Sequence, residues 1–88
     1  MLRITPIPTN NDEPGLRLEG RLIGPWVDEL ERAVEATTAS PATLHLDLSR
    51  VQFVDAQGVA LLQRLQDHGV ILERVTPFVE ELLRSRFA

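Results

Sequence analysis

The stretch Leu44-His45-Leu46-Asp47-Leu48-Ser49-Arg50-Val51-Gln52-Phe53-Val54-Asp55-Ala56-Gln57-Gly58-Val59-Ala60-Leu61-Leu62 decides the fold. Leu44, Leu46 and Leu48 alternate with His45 and Asp47. Successive side chains of a strand point to opposite faces, so this period of two marks a strand with one buried and one polar face. The period then changes. Val59, Leu62 and Leu65, with either Ala60 or Leu61, recur at helical spacing and predict a helix from Ala56 to about His68. Asp55 stands at its N-cap, where a carboxylate accepts from the free amides of the first turn. Gly69 supplies a left-handed stop, and His68 suits the negative end of the helix dipole. Ser49 to Val54 reads as a link between strand and helix.

The same grammar extends in both directions. Residues 2–7 are strand-like, but Pro6 and Pro8 cannot donate to a ladder and place this strand at a sheet edge. Thr9-Asn10-Asn11-Asp12-Glu13-Pro14-Gly15 is dense in turn formers and reads as a hairpin loop. Leu16, Leu18 and Leu22 alternate with Arg17, Glu19 and Arg21, with Gly20 at the remaining apolar phase. Gly24-Pro25 ends that strand and opens a helix whose apolar stripe is Trp26, Val27, Leu30, Ala33 and Val34. This helix fades near Thr37-Thr38 and stops at Ser40-Pro41. Residues 70–75 form a short strand. Thr76 then caps, and Pro77 starts, a last helix that buries Phe78, Val79, Leu82 and Leu83, with Phe87 a further candidate.

The order is therefore β-β-α-β-α-β-α. Alternating βα units imply parallel pairing, while the first two strands can pair as an antiparallel hairpin. The expected architecture is an α/β two-layer sandwich with a mixed sheet of about four strands and helices mainly on one face. The other face would carry Arg17, Glu19, Arg21, His45 and Asp47 as a solvated polar surface.

Composition narrows the function. The chain has 88 residues, which fits one domain spanning residues 1–88. Its net charge is −4, and all nine basic residues are arginine. Nucleic-acid binding needs a basic footprint, and none is visible. The absence of cysteine excludes disulfides, thiolate metal sites and thiol nucleophiles. No apolar run is long enough for membrane insertion, and the first residues lack a signal-peptide pattern, so a cytoplasmic location is the default expectation.

No catalytic constellation emerges. His45 and Asp47 share a strand face, but a metal needs three or four converging ligands, so neither metal nor cofactor is expected. Glu80-Glu81 and Asp28-Glu29 are neighbours on helices and point in different directions. Ser40, Ser49 and Ser85 have no adjacent base or nucleophile elbow. The glycines at 15, 20, 24, 58 and 69 fit no phosphate-cradling motif. Trp26 is most simply part of the core. The junction around Asp55 stands out as a place for contact, because open α/β sheets commonly bind at the C-terminal ends of their strands. Ala56 and Gly58 there are small enough to let another surface approach, or to pack helix tightly on sheet. Gln57 offers both a donor and an acceptor.

The segment Leu46 to Leu62 resembles the signature of the STAS domain, the family named for sulfate transporters and anti-sigma-factor antagonists. An apolar strand ends in Asp47-Leu48-Ser49. After a short link, Asp55-Ala56-Gln57-Gly58 opens an apolar helix, where the family has Asp-Ser-Ser/Thr-Gly. The surrounding order of elements fits the family over about residues 14–85. The resemblance implies a non-enzymatic protein-interaction module, with partner contacts from Ser49, Arg50, Gln52, Asp55, Ala56, Gln57 and Gly58. In the anti-sigma antagonists, the serine directly after the aspartate is phosphorylated by a partner kinase. Ala56 stands at that place without a hydroxyl, and Gln57 replaces the next one.

The implied partner is a protein: an anti-sigma factor or kinase-like regulator, whose capture frees a sigma factor for transcription. The alternative is a subunit of an ABC-type lipid or anion transporter, with this chain as its cytoplasmic accessory. Homodimerisation through the polar face or an edge strand is compatible with either.

Overall fold

A computed structural model describes residues 1–9, 13–37 and 43–85. Among them the order is β1 (Leu2–Ile7), β2 (Gly15–Leu22), α1 (Pro25–Thr37), β3 (His45–Val54), α2 (Ala56–Asp67), β4 (Ile71–Glu73) and α3 (Pro77–Ser85). The sheet order is β1-β2-β3-β4. β1 pairs antiparallel with β2, while β2–β3 and β3–β4 are parallel. The expected α/β mixed sheet is thus present with its order of elements. The hairpin tip at 10–12, the helix stop at Ser40-Pro41 and Phe87 lie outside the described residues.

The register explains the alternation. Leu16 lies opposite Leu46, and Gly20 and Leu22 opposite Val51 and Val54. These positions share the helix-covered face, where Leu16, Leu18, Leu22, Leu46, Leu48, Val51 and Val54 are buried. Leu30 and Val34 of α1, Val59, Leu61, Leu62 and Leu65 of α2, and Val79 of α3 complete the core. Leu61 rather than Ala60 is the buried member of the α2 pair. Trp26, Val27 and Ala33 are half-buried against this core.

Ser49 to Val54 is not a link: β3 continues through Val54. Its register against β2 shifts twice, between Arg17 and Glu19 and between Gly20 and Arg21. Each shift inserts one extra residue into β3, a bulge that breaks strict alternation and changes which residues face the core. The last strand is shorter than expected, since β4 pairs only with His45 to Asp47. Phe78 is also not core. β3 outruns β4, so no strand covers its last residues on that side. There Phe78, in the first turn of α3, stacks obliquely on Phe53 at 6.2 Å and stays 52% exposed.

Gly58 is in the packing, not on the surface. A Cβ there would lie 2.6 Å from Val54 Cγ1 and 2.8 Å from Leu22 O. Its small size lets α2 sit directly on the ends of β2 and β3, so Gly58 is removed from the contact set. Glycine-to-alanine in a helix ordinarily stabilises by up to ~1 kcal/mol. Here Gly58→Ala is expected to destabilise by ~1–3 kcal/mol through overpacking, read as a lower urea midpoint with unchanged slope.

Candidate partner-binding site

The site is built around Asp55, placed by the end of β3. Its extended backbone (φ −81°, ψ 179°) turns the chain into α2. The Gly58 amide donates to Oδ1 at 2.7 Å, the expected N-cap bond. The other oxygen, Oδ2, accepts from the Gly24 amide at 2.9 Å. The Asp55 amide donates to Leu22 O at 3.1 Å. One residue therefore caps α2 and ties the β2–α1 turn to the β3–α2 turn. Gly24, with φ +54°, takes a left-handed conformation that suits glycine in that turn.

Around this staple, Ser49, Arg50, Gln52, Ala56 and Gln57 are exposed, and Asp55 is half-buried. Ala56 and Gln57 form the first turn of α2. The Ala56–Gln57 turn itself is uncharged, an exposed amide beside a methyl group, while Arg50, earlier on β3, is the charged member of the set. At the other end of α2, His68 is the C-cap, with Nδ1 2.7 Å from Arg64 O. Thr76 Oγ1 accepts from the Val79 amide at 3.3 Å, which bears out its cap on α3.

The uncovered sheet face departs from the solvated surface expected of it. The register puts Arg17, Glu19 and Arg21 beside Asp47, Arg50 and Phe53, with His45 and Glu73 on the same face. Asp47 is only 4% exposed. Burial opposes its ionisation, but the Ser49 amide and hydroxyl, with the charges of Arg74 and Arg17, outweigh it and lower its pKa. The Ser49 amide lies 2.9 Å from Asp47 Oδ1, and Arg17 Nε lies 3.6 Å from Oδ2.

His45 is equally engaged. Nε2 lies 2.7 Å from Glu13 Oε1, and Nδ1 lies 3.2 Å from Glu73 Oε1. The Glu13 hydrogen bond raises its pKa, partly opposed by burial and reinforced by Glu73. A neutral imidazole has one N–H for two carboxylates, whereas the protonated ring donates to both. The Glu13 and Glu73 contacts come from the hairpin and β4, so local spacing carried no sign of them.

A β-β-α-β-α-β-α sandwich with an aspartate-capped helix after its central parallel strand defines a class of small α/β domains with a strand-to-helix junction on display. The chain belongs to the STAS family: the family model described as "Mlab, STAS domain" matches residues 7–85. A solved antisigma-factor antagonist STAS domain from Rhodobacter sphaeroides has the same fold. Its TM-score is 0.55 at 16% identity, covering 86% of this chain and 97% of that one. No curated protein matches in sequence.

Asp55→Ala removes the cap and the bond to Gly24 together, and is expected to lower stability by ~2 kcal/mol in urea unfolding. Because folding raises the His45 pKa, protonated His45 stabilises the fold. That contribution is complete below the ordinary value of 6.5 and is lost as pH rises through the higher folded value. His45→Gln should flatten this part of the stability–pH curve. Asp47 acts in the opposite range: its contribution is present above 3.8 and is lost as pH falls through the lowered folded value.

Proposed function

We propose that this chain is a single-domain, non-enzymatic protein-interaction module. It docks a protein partner through the end of β3 and the first turn of α2. Ser49, Arg50, Gln52, Ala56 and Gln57 supply the contacts, and Asp55 holds the turn in shape. The observation that carries this reading is the exposed, uncharged Ala56–Gln57 turn, locked at both carboxylate oxygens of Asp55. The fold likeness to an antisigma-factor antagonist supports an anti-sigma factor or kinase-like regulator as partner.

The family resemblance implies a phosphoacceptor at the position that Ala56 occupies here. A phosphate would add roughly −1.5 to −2 charge at that place. Without a hydroxyl at 56 or 57, the surface stays in its unmodified state, and binding is constitutive. That observation also favours a second reading, the cytoplasmic accessory subunit of a membrane transporter. A subunit that stays assembled needs no release switch. Neighbouring genes for a kinase-like regulator would support the first reading, and genes for an ABC transporter the second.

The test is affinity purification of wild type beside Ala56→Asp and Gln57→Glu. An acid in the first turn favours the helix dipole, so both variants should fold. Each should lose the principal wild-type partner. Equal retention by folded variants would place the interface elsewhere. Incubation with a cognate kinase and ATP should leave position 56 unlabelled, whereas label at Ser49 or Thr76 would show that the switch had moved.

A further inference from the structure

The upper end of the uncovered sheet face carries an unusual grouping. Arg3 lies opposite Glu19 in the β1–β2 ladder, Glu19 opposite Arg50, and Arg21 opposite Phe53. These residues therefore share one face. Arg3, Arg21 and Arg50 are exposed, and among the described residues their guanidinium groups make no ion pair. Arg17, Arg32, Arg64 and Arg84 each have a carboxylate within 4 Å. Three free cations against Glu19 make a positive patch on a chain of net charge −4.

The same patch is apolar at its rim. Phe53 is 42% exposed and Phe78 52%. Phe53 and Ile23, with Arg21 and Gln52, line an open groove of about 430 Å³. Aromatic side chains beside arginine are the composition of binding hot spots. A free guanidinium pairs two N–H groups with one carboxylate.

We propose that this patch seats a segment of the partner protein that carries carboxylates beside a large apolar side chain. The apolar side chain enters the Phe53–Ile23 groove, and the carboxylates pair with Arg21 and Arg50. This deepens the docking reading and rests on it, because Arg50 and Gln52 join the patch to the α2 junction. A polyanion would also find cations here. However, Glu19 stands among them and the whole chain is acidic, which favours a short acidic segment over RNA or an anionic membrane.

The probe is a labelled synthetic dodecapeptide of glutamate and leucine centred on phenylalanine, added directly to the purified chain. Anisotropy should report binding that weakens at least tenfold in Arg21→Glu and again with added salt. A charge-matched control, Arg32→Glu, should bind as wild type. Amide NMR shifts should centre on Arg21, Ile23, Gln52 and Phe53. Arg50→Gln serves as a milder second variant if Arg21→Glu fails to fold.

No binding at millimolar peptide, shifts elsewhere, or indifference to Arg21→Glu would overturn the proposal. So would tighter binding to polyuridine or to phosphatidylglycerol vesicles, or self-association that the same variants abolish. Retention of the native partner by Ala56→Asp would overturn the junction reading alone, since this measurement does not use that partner.

Discussion

The Asp55 carboxylate is the constraint on which the rest of the site depends. It accepts from Gly58 at the start of α2 and from Gly24 at the start of the β2–α1 connection. Two turns that are 31 residues apart in sequence are fixed against each other by one side chain. Rearrangement breaks the part-buried Gly58 bond, whose donor has little access to water, together with the exposed Gly24 bond, so the cap on α2 is the costlier of the two to lose. A short, rigid, uncharged turn is a good docking element because little conformational entropy remains to be lost on binding.

Beneath the staple, packing enforces the same geometry. Gly58 brings α2 within contact of Leu22 and Val54, the last core residues of the two central strands. The bulges in β3 bring Val51 and Val54 back to the core face after the leucine alternation ends. They leave Arg50 and Phe53 on the open face beside Glu19 and Arg21. The junction and the open-face patch thus share one strand, and its irregularities aim both.

Much of this was legible from residues alone, and the gaps have physical causes. Leu16–Leu22 and Leu44–Leu48 announced strands because nothing interrupts their alternation. Val51 and Val54, three apart, hid the rest of β3, since an inserted residue erases the period on which such readings rest. The cap role of Asp55 was visible locally, but its bond to Gly24 depends on tertiary placement. Asp47 was correctly assigned to the polar face. Its burial was not visible, because Arg17 reaches it from the neighbouring strand and Ser49 folds back onto it. Phe78 fitted an apolar stripe, yet the first turn of α3 lies beside β3 where β4 has already ended.

A partner that grips the turn held by Asp55 shields the amides of that turn from solvent. Amide hydrogen exchange of the purified complex against the free chain tests it most directly. New protection is expected between residues 49 and 57, with the outer faces of α1 and α3 unchanged. Protection confined to those helices, with the Asp55 turn exchanging as fast in the complex as alone, would contradict it.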